Sequence, residues 1–170
     1  METTTEKRYT PQDFGEWEKY GTCGESCIVV LTRTSTVSEQ ANFQKQKYGH
    51  LWTNVKEIEE MLKSYFETKR KRGNKAKMLP TPSTDQALIF IQWLDDEGKE
   101  YYWREAQKHT HWILMQKFDD GVWIWDNGWG WLKKEEWEKV GFEKGYIRSY
   151  LELRPLSSNG LKAVVSRGAE

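Results

Sequence analysis

His111-Trp112-Ile113-Leu114-Met115-Gln116-Lys117-Phe118-Asp119-Asp120-Gly121-Val122-Trp123-Ile124-Trp125-Asp126 is the stretch on which the fold turns. Aromatic and β-branched runs flank an Asp-Asp-Gly turn, the pattern of two antiparallel strands, here Trp112 to Phe118 and Val122 to Trp125. With a four-residue loop, Lys117 to Asp120, Gln116 faces Gly121 and His111 lies directly across from Asp126. Opposite residues share a sheet face at about 5 Å between Cβ atoms, so an imidazole to carboxylate hydrogen bond is expected. A two-residue Asp120-Gly121 turn would instead put Gly130 opposite His111.

Downstream, Ile147 to Leu153 reads as another strand, and Glu100 to Arg104 as one more before the hairpin. Upstream the periodicity is helical. Asn54 and Glu57 resemble a capping pair, and Val55, Ile58, Met61, Leu62, Tyr65 and Phe66 recur at helical spacing to about Lys71. The basic run from Lys69 to Lys77, followed by Pro80 and Pro82, predicts a surface loop. Ser83 and Gln86 suggest the cap of a third helix carrying Leu88, Ile89, Ile91, Trp93 and Leu94. Helices first and sheet second is an α+β layout. One domain over residues 1–154 is expected, with a loose arm at 1–10 and a flexible tail at 155–170.

Lys plus Arg balances Asp plus Glu at 26 each, so no global field favours nucleic acid. The basic run lacks interleaved aromatics, which lowers a nucleic-acid reading further. Nor is there a run of eighteen apolar residues or a signal-peptide layout at the N-terminus, so no membrane partner is expected and the chain reads as cytoplasmic. Ten Trp and eight Tyr imply a core of packed rings whose N–H and O–H groups need partners.

Two cysteines, Cys23 and Cys27, and three histidines support neither a disulfide framework nor a metal site, and no cofactor is implied. A chemically active thiol is the remaining reading. A nucleophilic thiol works as thiolate, which a helix N-terminus and a neighbouring histidine both stabilise. Gly24-Glu25-Ser26-Cys27-Ile28-Val29-Val30-Leu31 reads as a buried helix, with a strand as its rival because three of its four apolar residues are β-branched. Cys23 stands where that helix would begin. Were Cys27 the nucleophile, its helix would hold only Ile28 to Leu31 as an apolar anchor.

Cys23-Gly24 entering a helix, a late His111-Trp112 on a strand and Asp126 ending the next resemble the papain-like cysteine protease superfamily. Within it the chain is similar to picornaviral leader proteases, double-glycine leader peptidases of bacteriocin exporters, and bacterial effector cysteine proteases and deamidases. The resemblance implies a nucleophile helix packed against a C-terminal antiparallel sheet. It implies a catalytic set of Cys23, His111 and Asp126, with Cys27 and Asn127 as alternatives and Trp129 and Trp131 as candidates for a substrate groove. Asp126-Asn127-Gly128-Trp129-Gly130-Trp131 resembles the segment that follows the histidine in papain. The implied activity is cleavage of a protein or peptide substrate, the chain's own polyprotein or a host protein, in the host cytoplasm. Glutamine deamidation of a host protein and a non-catalytic binding module are the alternatives. Gly160 to Val165 would then be a substrate-like strand, as in leader proteases whose C-terminus is itself a cleavage product.

The pattern has departures and rivals. These families carry a Gln or Asn five or six residues before the nucleophile, where this chain has Trp17 and Glu18, with Gly21 and Thr22 at those places before Cys27. Backbone N–H groups or Gln12 would have to stabilise the oxyanion. His109 lies two positions from His111 and competes with it, whereas His50 belongs to the surroundings of the first long helix.

Overall fold

The computed structural model describes residues 7, 9–10, 23–33, 46–47 and 53–156. The expectations on Gln12, Trp17, Glu18, Gly21, Thr22 and His50, and on the tail beyond Leu156 with Gly160 to Val165, lie outside these residues. Among the described residues the elements follow in the order α1 (Cys23–Thr32), α2 (Val55–Leu62), β1 (Phe66–Asn74), β2 (Gln86–Trp93), α3 (Trp103–Ala106), β3 (Thr110–Phe118), β4 (Gly121–Asp126), β5 (Gly130–Lys133), α4 (Lys134–Gly141) and β6 (Gly145–Pro155). The strands form one antiparallel sheet in the order β1-β6-β2-β3-β4-β5. The fold is α+β.

Both faces of the sheet are covered. On one, Cys27, Val30 and Leu31 of α1 and Ile58 and Leu62 of α2 pack on Leu88, Trp112, Leu114, Trp125 and Leu151. On the other, Trp137 of α4 and the following Phe142 pack on Ile89, Ile91, Ile113 and Ile124. Alternation within β3 sends Trp112 and Leu114 to the α1 side and Ile113 and Met115 to the α4 side. Full burial of each Ile or Leu contributes about 1.5 to 3 kcal/mol.

β2 is not the helix that Ser83 and Gln86 suggested. It runs between β6 and β3 with both faces covered, so Ala87 to Ile91 are all buried and the period-2 signature disappears. Ser83 does not cap a helix; its N–H and hydroxyl donate to the Glu152 carboxylate on β6. The helix expected from Asn54 to about Lys71 stops at Leu62. Its start is as expected, with Asn54 Oδ1 accepting from Glu57 N at 2.9 Å and Glu57 Oε1 accepting from Asn54 N at 2.8 Å. Phe66 onward is drawn into β1 by pairing with β6, Phe66 facing Pro155.

The basic run from Lys69 is therefore largely strand rather than loop. It occupies a sheet edge, where lysine and arginine discourage pairing with another chain. Glu100 to Arg104 is not a strand: residues 100–102 are irregular and α3 begins at Trp103. Neither β5 nor α4 was expected. β6 continues through Pro155, where the tail was expected to begin, and Leu156 N donates to Tyr65 O at 3.0 Å. Lys7, expected in a loose arm, is anchored on the hairpin, 3.2 Å from Asp120 Oδ2 and 4.1 Å above the Trp123 ring. No helix among the described residues is long and apolar enough to cross a membrane.

Candidate active site

The β3–β4 turn is tighter than the four-residue loop expected. Phe118 pairs with Gly121 across Asp119-Asp120, and Gly121, which closes the turn, takes a φ of 123° that favours glycine. The ladder then runs to Leu114 opposite Trp125. Continued, this register sets Asp126 across from Ile113, so His111 and Asp126 are diagonal neighbours rather than directly opposite. Side chains two positions apart share a face, and the diagonal still closes: His111 Nε2 lies 3.1 Å from Asp126 Oδ1.

Asp126 is held on every side. Gly128 N donates to Oδ1 and Trp137 Nε1 to Oδ2, each at 2.9 Å, while Trp129 N donates to the Asp126 carbonyl at 3.0 Å. Burial pushes its carboxyl up, but His111 and these donors outweigh burial and hold it below the usual carboxylate value. Asn127 is buried next to it, yet the partner of His111 is Asp126.

Cys23 is the first residue of α1, half-buried, and close enough to His111 for its sulfur to favour the imidazolium. With Nε2 committed to Asp126, Nδ1 is the nitrogen left for the thiol. Burial pushes the His111 imidazole down, but the Asp126 carboxylate and the Cys23 sulfur outweigh it and hold the group up at about 10. Trp93 stacks on the imidazole with ring centroids 5.4 Å apart. Cys27, one turn along α1, is fully buried in the core. Burial, then the neighbouring Cys23, Asp126 and Glu25, push its thiol well above the ordinary value. The structure thus brings Cys23, not Cys27, to His111. His109 precedes β3 and stacks on Tyr101 at 3.7 Å, away from the pair.

Gly24 lets α1 start this close to the sheet. A Cβ there would lie 3.2 Å from Ile58 Cδ1 and Trp112 Cδ1 and 3.3 Å from Thr53 Cβ. Trp112 Nε1 donates to Thr53 O at 2.8 Å, and the Thr53 hydroxyl donates to Glu25 Oε1 under the helix start. Burial pushes Glu25 up to about 8, and its Oε2 has no partner among the described residues. Further along the helix, Ser26 Oγ donates to Cys23 O at 2.9 Å and accepts from Trp125 Nε1 at 3.3 Å.

The two groove candidates separate. Trp129 is half-exposed in the turn after Asp126. Trp131 is packed edge-on against Phe118 and Trp125, at 5.4 and 5.7 Å, and belongs largely to the core.

Sequence reasoning missed Trp93, assigned to a helix, and Trp137, assigned to nothing. The signal for Trp137 was there: Glu135 and Glu136 in a first turn and Lys139 in a last one are the charge order of a short helix. No protein-family model and no curated protein matches the chain.

Proposed function

We propose that the chain is a papain-like thiol hydrolase that cleaves peptide bonds in a protein substrate, with Cys23 as nucleophile, His111 as base and Asp126 as the group that orients it. The single observation that supports this most is the His111 imidazole 3.1 Å from Asp126 and within electrostatic reach of Cys23, the first residue of a buried helix. Helices α1 and α2 packed on an antiparallel sheet suit the papain-like reading of the fold.

Before substrate binds the Cys23 proton already resides on His111, leaving a thiolate beside an imidazolium, and the thiolate attacks the substrate carbonyl carbon. The oxyanion forms in front of the unpaired N–H groups at the start of α1. As the C–N bond breaks, His111 returns the proton to the departing amine and a thioester remains. Water, deprotonated by His111, attacks the thioester, releasing the acid and restoring the Cys23 thiol. Asp126 stays ionised throughout and keeps Nε2–H pointed at itself. Two free cysteines and a working thiolate suit a reducing compartment such as the cytoplasm.

The test is alkylation by iodoacetamide of wild type, Cys23→Ala, Cys27→Ala and His111→Ala across about pH 5 to 9, with sites read by mass spectrometry. Expected is fast labelling at Cys23 that slows when His111 is replaced, with Cys27 protected while the protein is folded. Slow labelling at Cys23, unaffected by His111, would overturn the hydrolase and favour a non-catalytic binding module. Release of ammonia rather than new peptide termini from a protein substrate would turn the same chemistry into deamidation.

A further inference from the structure

A cavity of about 500 Å³ is walled by the start of α2 and by β1, β2, β3 and β6, and two of its residues adjoin the neighbours of the nucleophile and the base. Thr53 is one wall, and its Cβ and the Gly24 backbone next to Cys23 are in near contact. Thr110, the residue before His111, is another. The remaining lining is dominated by Lys56 of α2, Arg70 of β1 and Arg148 of β6, over the ring of Phe90, and contains no carboxylate.

Arg148 is pre-set. Gln92, buried in β2, donates its Nε2 to the carbonyls of Ala106 at 2.9 Å, His109 at 3.1 Å and Trp93 at 3.2 Å. With its amide nitrogen so committed, Gln92 must turn Oε1 to the other side, where it accepts from Arg148 Nη1 at 3.1 Å. The guanidinium also lies 5.8 Å from the Phe90 ring centroid, which fixes it further. Arg70 is bound to Glu59 through one nitrogen, Nη2 to Oε1 at 3.0 Å, and a guanidinium has five N–H donors, so the others remain for a ligand. One amide, Gln92, therefore anchors both an arginine of the cavity and the backbone leading into His111.

The geometry points to this cavity as the subsite that takes an acidic side chain of the substrate protein, close to the bond being cleaved. This names the substrate class of the proposed hydrolase and rests on that reading for its link to cleavage. A carboxylate entering between Arg70 and Arg148 would be met by charge-assisted, bidentate-capable donors, with Lys56 adding a further positive charge at the cavity wall. The glutamine analogue has the same shape and lacks the charge.

The test separates binding from chemistry by using Cys23→Ala, which cannot turn over. Short peptides with Glu, Gln or Lys scanned through every position are bound to Cys23→Ala and to the same protein carrying Arg70→Gln and Arg148→Gln. In parallel the wild type is offered the same library and its cleavage products are sequenced. Expected is that Glu at one position improves binding about tenfold over Gln. The preference should vanish in the arginine variants and fade in high salt, and wild-type cuts should cluster near that Glu. Both arginines are exposed, and Lys56→Glu on the outer surface of α2 gives an independent variant that should also weaken Glu binding. Equal retention of Glu and Gln peptides, or a preference that survives all three substitutions, overturns the subsite whether or not the wild type cleaves. Tighter binding of an oligouridylate than of any Glu peptide, lost on the same substitutions, also overturns it and makes the cavity a nucleic-acid contact. A Glu preference that follows the arginines while the wild type cuts nothing leaves the acidic-peptide subsite standing and overturns the hydrolase alone.

Discussion

Trp137 of α4 donates its indole N–H to Asp126 Oδ2 at 2.9 Å, so a helix that follows the hairpin holds the carboxylate whose other oxygen faces His111. The bond is buried and one partner is charged, which puts it among the stronger hydrogen bonds in the molecule. Trp137→Phe keeps a ring against Phe142 but removes the donor, leaving a buried carboxylate oxygen without its partner. The expected cost is about 1.5 to 3 kcal/mol of unfolding free energy, read by urea denaturation. Hydrolysis should slow as well, and Cys23 alkylation should lose part of its dependence on His111. A variant as stable and as reactive as wild type would remove Trp137 from the positioning of Asp126.

Asp126→Asn isolates the charge from the hydrogen bond. The His111 imidazolium is held at about 10 chiefly by that carboxylate against the opposing effect of burial, so its pKa should fall by about 1 to 3 pH units. Titration of the His111 ring protons by NMR measures this. Because the folded pKa is raised above the ordinary 6.5, the stability His111 contributes is complete below 6.5 and is lost as pH rises through about 10. Asp126 has the opposite sense, contributing above its ordinary 3.8 and losing that contribution in acid. The stability deficit of Asp126→Asn should therefore be greatest between 3.8 and 6.5 and narrow on the alkaline side. A deficit that widens as pH rises above 6.5 would contradict the ion pair.

Glu25 makes a separate prediction about stability. Its carboxyl is pushed by burial from an ordinary 4.5 up to about 8, so the folded protein keeps a proton there that the unfolded chain releases. Folding then becomes less favourable as pH rises from 4.5 to 8, by at most about 1.4 kcal/mol per pH unit. Glu25→Gln keeps an acceptor for the Thr53 hydroxyl without the ionisable proton. The variant should match wild type near the acid end of that range and exceed it at the alkaline end, as read by thermal unfolding across pH. Equal pH slopes for the two proteins would mean that Glu25 titrates normally.

The hairpin was legible because its evidence is local. Two apolar runs around Asp119-Asp120-Gly121 admit few pairings, and each one considered keeps His111 and Asp126 on one face, since shifts of the register by two residues preserve the face. The start of α2 was equally local, written in Asn54 and Glu57. Where the evidence was not local the reading failed. Leu88 to Ile91 form a continuous apolar run because two neighbouring strands and two covered faces surround them, and such a run carries no period to distinguish strand from helix. Phe66 to Lys71 continue a helical pattern and are strand only because β6, some eighty residues on, offers a ladder.

By itself the sequence determined the α+β class, the presence of the hairpin and the shared face of His111 and Asp126. Only the tertiary structure decided which cysteine lies beside His111. Cys23 and Cys27 are one helical turn apart, and nothing in their neighbourhood along the chain separates them decisively. Packing α1 on Trp112 and Trp125 sinks Cys27 into the core and leaves Cys23 at the rim beside His111. Assembly of the sheet with its two covering layers likewise brings Trp93 and Trp137 to His111 and Asp126, and Arg70 and Arg148 to one cavity, from distant parts of the chain. Long-range pairing follows from which faces bury most apolar surface together, a property of the assembled sheet that no single segment carries.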